Sequence, residues 1–469
     1  MKTVLIVAGS DPGAGAGLQQ DLKTATILGA YGLTVVTALT VQNSLGVTAA
    51  YPVPSEVVAA QCQALISDFP IHAVKLGMLA TAANARVVAR FLKTLREEGE
   101  KGPFKDSGTL PVVLDPVLAA GRGEPLLDED GVAVLTRELL PLTTVLTPNV
   151  PEAVHLTGME IETPSHLEEA ARRLKDLGPV WVLAKGGHLP GDPVDILTDG
   201  KNTYHLPGTR LAAPHHHGSG CLLATALAAF LAQGSAVPEA VNRARRLVTT
   251  ALRHGLPLGQ GVGPVNPYAA LAREKAKYTV LEELKQAASR LVREDISPLI
   301  PEVMSHLAYA APYSEGMEDV AAFPGYVLKT IEGTQIPTPP AFGASPLMAG
   351  ILLAAMDIQP RLRAAMTLKF FKEFTDIAPL LNLRLAKFDS TQTPPPARTR
   401  EGGLLAVGVA EVLKQQRPWE PLPDLVLVSS GAAAEPLLVV LGENPGSVVE
   451  KALALKNAWQ TSQILISKG

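Results

Sequence analysis

Short apolar runs alternate with amphipathic stretches along the first part of the chain, and the hydrophobic period changes from one to the next. VLIVAG, near the start, is a β-branched run closed by glycine, which predicts a strand buried on both faces. LQQDLKTATILGAYG then carries apolar residues at helical spacing, LTVVTALTVQNS returns to β-branched alternation, and SEVVAAQCQALISDF is again helical. HAVKLGML, a helix around ARVVARFLKTLREEG, PVVLDPVL, TTVLTPN and VWVLAKGG continue the pattern. Strands alternating with helices predict an α/β fold, a mostly parallel sheet flanked by helices. After GPVNPYAALAREKA the composition shifts, and KYTVLEELKQAASRLVRE reads as a charged amphipathic helix. The boundary is placed near residue 272, with a first domain over 1–271, a linker helix over 272–289 and a second α/β domain over 290–469.

The chemistry concentrates at His215-His216-His217-Gly218-Ser219-Gly220-Cys221, which runs straight into the apolar helix LLATALAAFLAQG. Gly218 and Gly220 permit a tight turn, and the unpaired N–H groups of a helix start attract anions, phosphate first among them. Cys221 sits at the positive end of that helix, where the dipole favours the thiolate and is expected to lower its pKa toward neutrality. A small buried hydrophobe is the competing role. Three adjacent histidines suggest a metal tract, but successive side chains point apart, so a solvated loop with His217 alone near phosphate is expected.

Polar residues also mark the predicted strand ends: Gln42-Asn43, Asp115, Asn149 with Glu152, and Lys185-Gly186-Gly187-His188. Singly, each is an ordinary turn former. Together, a lysine, two carboxylates and an anion-binding helix end are what phosphoryl transfer needs, at the sheet edge where open α/β folds bind ligands. The loop Gly9-Ser10-Asp11-Pro12-Gly13-Ala14-Gly15-Ala16-Gly17 is neither a Walker loop nor a Rossmann fingerprint, because GK[ST] is missing and the glycine spacing differs.

Length and charge narrow the classes. A chain of 469 residues exceeds one ordinary core, and 41 basic against 45 acidic residues leave a net charge of −4, which argues against nucleic acid as a partner. Two cysteines far apart argue against a disulfide framework and fit a reducing compartment. No apolar run reaches the roughly twenty residues of a membrane span, and the N-terminus lacks a signal-peptide pattern. A cytoplasmic protein with no membrane partner is expected.

AGSDPGAGAGLQQDLKT, TALTVQNS, KLGMLAT, VVLDPV, LTPNVPEA, LAKGGH, HHGSGC and GVGPV, in that order, resemble the hydroxymethylpyrimidine/phosphomethylpyrimidine kinases of thiamine biosynthesis, members of the ribokinase-like superfamily. The resemblance covers residues 1 to about 270. It implies ATP and Mg²⁺ as cofactors, small-molecule substrates and a homo-oligomer. It also implies a nucleotide site near Lys185, Asn149 and the Gly218–Cys221 turn, and a pyrimidine site lined by Gly9, Asp21, Gln42 and Met78. In that frame Gln42 would match the amino group and ring nitrogen of an aminopyrimidine, and Met78 would lie under the ring. Cys221 would take the hydroxymethyl proton or only orient that hydroxyl, beside the amides of Gly218, Ser219 and Gly220. Lys185 would pair with ATP phosphates, and Glu152 and Asp115 would hold Mg²⁺ largely through water. Some pyridoxal kinases share the cysteine, so pyridoxal is the alternative substrate.

PEVMSHLAYA, EDVAAFPG, FGASPL and AEPLLVVLG resemble the ThiN-type domain, which acts as a thiamine-phosphate synthase behind such kinases or as a thiamine-phosphate sensor behind DNA-binding modules. Catalytic members carry basic residues in the glycine-rich turn before the Glu-Pro pair, whereas Ser429 to Ala434 contains none. Binding of thiamine phosphate or its precursors with poor synthesis is therefore expected, a non-catalytic sensor being the alternative. Arg398 and Arg400, in the proline-rich TQTPPPARTR segment, are expected on a solvated loop.

Overall fold

The computed structural model describes the chain except residues 102–109, 122, 390–402, 418, 430–434 and 468–469. It divides into two compact units, Met1–Ala270 and Leu271–Gly469.

The first unit is built on nine strands: β1 (Lys2–Ser10), β2 (Ala30–Asn43), β3 (Gly46–Pro52), β4 (Ala73–Leu76), β5 (Val112–Leu114), β6 (Val145–Leu146), β7 (Trp181–Ala184), β8 (Val194–Thr198) and β9 (Thr203–Pro207). Their spatial order is β3-β2-β1-β4-β5-β6-β7-β8-β9. The six strands from β2 to β7 run parallel, while β3, β8 and β9 pair antiparallel. Leu5 and Val7 of β1 enter one core, against the helices over Ser55–Ile66, Ala82–Lys101 and Pro164–Asp176; Val4, Ile6 and Ala8 enter another, under the helices over Gly17–Ile27, Ser219–Ala232 and Val237–Arg253. Burial on both faces is why the parallel strands read as unbroken apolar runs.

The antiparallel edges depart from the all-strand-helix alternation. β8 and β9 form a hairpin around Asp199-Gly200-Lys201-Asn202, and Asp-Gly between β-prone runs is a recognisable hairpin signal. β3 is a largely exposed edge strand, so no apolar pattern marks it.

The second unit holds a seven-stranded sheet ordered Ala341–Phe342, Val320–Ala322, Leu307–Ala310, Ala364–Lys369, Leu437–Gly442, Leu425–Ser429, Leu385–Asp389. Only the last pair is parallel. Cores cover both faces, one under the helices over Tyr268–Arg293 and Pro445–Ser467, the other under those over Pro346–Met356 and Gly403–Lys414. The stretch expected as a linker, 272–289, lies inside the helix over Tyr268–Arg293. Its Val280, Leu284, Ala287, Ala288 and Leu291 are core residues of the second unit. Arg398, Arg400 and most of the Ser429–Ala434 turn lie outside the described residues. Glu435, beyond that turn, is met by Lys369 at 2.8 Å, a cation that comes from the end of another strand.

Candidate active site

A pocket of about 340 Å³ opens at the C-terminal ends of the parallel strands of the first unit. Gly9, Gln42, Met78, Asp115, Asn149, Glu152, Lys185 and Gly218–Cys221 all line it. Of the expected site residues only Asp21 stays out.

One wall is charged. Lys185, just past β7, reaches Asp115, just past β5, at 3.0 Å, and both are largely buried. Burial works against the Lys185 ammonium, but Asp115 and Glu152 outweigh it and hold the lysine above its ordinary range. Asn149 caps the helix over Val150–Thr157 in a reciprocal box: its side chain accepts from the Glu152 N–H at 2.9 Å, and the Glu152 carboxylate accepts from the Asn149 N–H at 2.8 Å. Burial pushes the Glu152 carboxyl up to about 7, against the pull of Lys185 and with a further push from Asp115.

Facing this wall is the turn into the helix over Ser219–Ala232. Gly218 sits at φ 81, and a Cβ there would lie 1.8 Å from the Gly15 carbonyl oxygen, so the two glycine loops touch backbone to backbone. A Cβ on Gly220 would stand 3.3 Å from Asp115 Oδ2 and 3.5 Å from Lys185 Nζ. The Gly218 and Gly220 N–H groups, a lysine and a carboxylate thus surround one small volume, the arrangement that a transferring phosphoryl group requires, while the Ser219 N–H already donates to the His216 carbonyl at 3.3 Å.

The other side is suited to a flat ring. Met78 is 8% exposed, and its sulfur lies 2.9 Å from where a Cβ on Gly9 would be, so any side chain at Gly9 would displace the thioether. The Gln42 amide meets His217 Nε2 at 3.0 Å, and the same ring nitrogen lies 3.2 Å from Asp11 Oδ2. Asp11 also accepts from the N–H groups of Gly13, Gly15 and Ala16 at 2.8, 3.0 and 2.8 Å. Burial alone would raise its pKa; the bond to His217 and those from Ala16 and Gly13 outweigh it and hold the carboxyl below its usual range. These two contacts tie His217 to Gln42 and Asp11 within the pocket. His215 Nδ1 instead accepts from the Gly263 N–H at 3.1 Å, and His216 Nδ1 lies 3.2 Å from the Ala213 carbonyl.

Two expectations are corrected. Asp21 lies behind the pocket, fully buried, paired with Lys75 at 2.7 Å and accepting from Thr225 Oγ1 at 2.7 Å; no face of it is left for a substrate. Cys221 is half-buried, and its thiol is pushed up to about 11 rather than toward neutrality. Desolvation by burial is the largest cause, and Asp21 and Asp115 add to it; Lys75 and a bond from the Gly17 backbone pull the other way without prevailing. Desolvation outweighs the helix dipole at this thiol.

Lys75, Asp11 and His217's actual partners were not evident from the sequence. The polar Lys in the apolar run HAVKLGML was the available signal, because a lysine inside a buried strand must have a charged partner.

The family model described as phosphomethylpyrimidine kinase matches residues 11–266, more than half of the chain. The chain belongs to the phosphomethylpyrimidine kinase family. A second model, thiamine-phosphate synthase ThiN, matches residues 283–454, so this kinase-family chain carries a ThiN domain behind its kinase domain. It is 45% identical over 264 residues to the hydroxymethylpyrimidine/phosphomethylpyrimidine kinase of Streptomyces coelicolor, an overlap of 56% of this chain and 93% of that one. It is 47% identical over 265 residues to the thiamine biosynthesis bifunctional protein ThiED of Geobacter sulfurreducens, covering 56% of this chain and 52% of that one, about half the relative's length. Among solved structures, the ADP complex of Bacillus subtilis pyridoxal kinase matches with a TM-score of 0.51 and 32% identity over 58% of this chain and 99% of that chain. Staphylococcus aureus pyridoxal kinase in complex with pyridoxal matches with 0.51 and 31%, over 58% and 94%. Among the described residues no helix is long and apolar enough to cross a membrane.

Proposed function

We propose that the first unit transfers the γ-phosphoryl group of ATP to 4-amino-5-hydroxymethyl-2-methylpyrimidine and then to its monophosphate. The observation that carries this reading is the meeting, in one pocket, of the Lys185–Asp115 wall against Gly220 with the Gln42–His217 pair and Met78. The aminopyrimidine lies on Met78, with the Gln42 amide in hydrogen-bond reach of its amino group and ring nitrogen. The phosphates face Lys185 and the amides of Gly218 and Gly220, which stabilise charge spreading over the transferring group.

Asp115 and Glu152 suit Mg²⁺. Among the described residues no cluster of three or more His, Cys, Asp or Glu side chains forms a protein cage, and Mg²⁺ favours one or two carboxylates with water and phosphates completing its shell. When bound, the ion would neutralise charge on the β- and γ-phosphates.

Cys221 stands beside the acceptor hydroxyl. With its thiol near 11 it rests protonated at neutral pH, so its first role is to orient the hydroxyl. A loose transition state tolerates this, because little bond to phosphorus has formed there, so the hydroxyl keeps its proton until late and passes it to an oxygen of the newly transferred phosphate. Purified protein supplied with ATP and hydroxymethylpyrimidine should yield the monophosphate and then the pyrophosphate, followed by phosphorus NMR. Absence of both products would overturn the reading.

A second activity, phosphorylation of pyridoxal, is favoured by the two pyridoxal kinases that share this fold at a TM-score of 0.51. Comparing kcat/KM for the two acceptors ranks them. The second unit binds thiamine phosphate or its precursors, consistent with its ThiN match.

A further inference from the structure

Lys75 carries a charge that the transfer chemistry above leaves unused. It occupies β4, is fully buried, and comes up against the pocket from below, where a Cβ on Gly77 would lie 2.8 Å from Nζ. Asp21, from the helix over Gly17–Ile27, holds Nζ at 2.7 Å, and Thr225 Oγ1 donates to the other Asp21 oxygen at 2.7 Å. Thr225 lies four residues beyond Cys221 on the helix over Ser219–Ala232, hence on the same face one turn along. β4 and two helices are thereby tied together by one ion pair whose Lys75 lines the same pocket as Cys221.

An ion pair with no access to water is an expensive way to join three elements, since apolar residues of similar volume usually do as well. Its Lys75 lines the pocket together with Cys221, which suggests an electrostatic use. We propose that Lys75 is a positioning residue for Cys221: its buried ammonium, clamped by Asp21, stabilises negative charge on the sulfur. The charged groups facing Cys221 are Lys75 from β4, Asp21 from the first helix, Asp115 after β5 and Lys185 after β7. Lys75 is the leading group that lowers the cost of the thiolate, with Lys185 also attracting it and the Gly17 N–H as a neutral helper, while both aspartates raise it. Lys75 in turn is held above the ordinary lysine range, because Asp21, Cys221 and Asp115 together outweigh its desolvation. Lys75 thus governs the pH at which Cys221 passes from an orienting thiol to a proton acceptor.

The inference rests on Cys221 standing at the acceptor hydroxyl, but its test needs no substrate. The full chain is alkylated with iodoacetamide from pH 7 to 10, and the rate at Cys221 is followed by peptide mass spectrometry, which separates it from Cys62. Lys75→Met is expected to slow alkylation at a fixed pH by about tenfold or more, one pKa unit, and Asp21→Asn to accelerate it by a similar factor. Damage to packing alone would move both variants in the same direction, so opposite signs are diagnostic. Cooperative melting is checked first; if Lys75→Met does not fold, Lys75→Gln replaces it, and alkylation slower than in the wild type, opposite in sign to Asp21→Asn, is still required. Unchanged or slowed alkylation in Asp21→Asn overturns the proposal. Loss of kinase activity in Cys221→Ala is read separately, so that a failed reading of the site is told apart from a failed coupling.

Discussion

Gln42 and His217, 175 residues apart in the chain, meet at 3.0 Å between amide and ring nitrogen, and the same nitrogen faces Asp11 at 3.2 Å. A neutral ring nitrogen accepts from the amide or donates to the carboxylate, not both, so the tautomer of His217 settles which end of Gln42 turns toward the pocket. Gln42→Ala and His217→Ala are each expected to raise KM for the pyrimidine by about tenfold, the loss of roughly one hydrogen bond, while KM for ATP stays within twofold. The double variant is expected to cost less than the product of the two, which steady-state kinetics on all four proteins would measure.

Cys221→Ala is expected to lower kcat by about a hundredfold, at the modest end of proton-transfer and orientation effects, because a thiol resting near 11 orients more than it ionises. KM for ATP should hardly change. An unaltered kcat would reduce Cys221 to packing.

The two glycines of the turn should fail differently. Gly218→Ala meets the Gly15 carbonyl at 1.8 Å and a positive φ, so a lower melting temperature is expected. Gly220→Ala adds a methyl 3.3 Å from Asp115 Oδ2, in the volume assigned to the phosphoryl group. It is expected to melt normally yet lose about a hundredfold in kcat/KM for ATP, the scale of a misplacement near 1 Å.

Glu152 sets an acid limb. Its folded carboxyl titrates at about 7, above the unfolded range, so the native state binds the extra proton; this group's contribution to stability is full at low pH and is lost as pH rises through 7. Activity has the opposite sign, since a carboxylate must be ionised to serve Mg²⁺. kcat/KM is expected to climb as pH rises through about 7, and Glu152→Gln, which preserves the capping box, to remove that limb. A flat profile in the wild type would contradict the assignment.

The ThiN domain is expected to bind thiamine monophosphate but to condense hydroxymethylpyrimidine pyrophosphate with thiazole phosphate slowly. Its Ser429 to Ala434 stretch has no lysine or arginine, and Lys369 is already paired with the following Glu435 at 2.8 Å. Charge on departing pyrophosphate grows in the transition state and needs a cation there more than ground-state binding does. Calorimetry and a condensation assay on the full chain separate the two; turnover of about one per second or more would defeat the expectation.

Local pattern alone determined the strand-helix alternation of the first unit, the glycine loops and the residues at strand ends. Each follows from hydrophobic period or turn chemistry within a few neighbouring positions. The same holds for Gln42, Asp115, Glu152, Lys185 and Gly218–Cys221, since an open parallel sheet delivers its strand ends to one edge, whereas Met78 followed only from the family resemblance. The sequence did not separate Asp21 from the pocket residues. One turn of helix decides whether that carboxylate faces ligand or Lys75, and only packing of three elements fixes the turn. Nor did it rank desolvation against the helix dipole at Cys221, because burial is a sum over atoms that the chain brings together from far away. The partners of His217 and Glu435, Asp11 with Gln42 and Lys369, belong to the same class: pairings between distant strand ends exist only once the sheet has set their order.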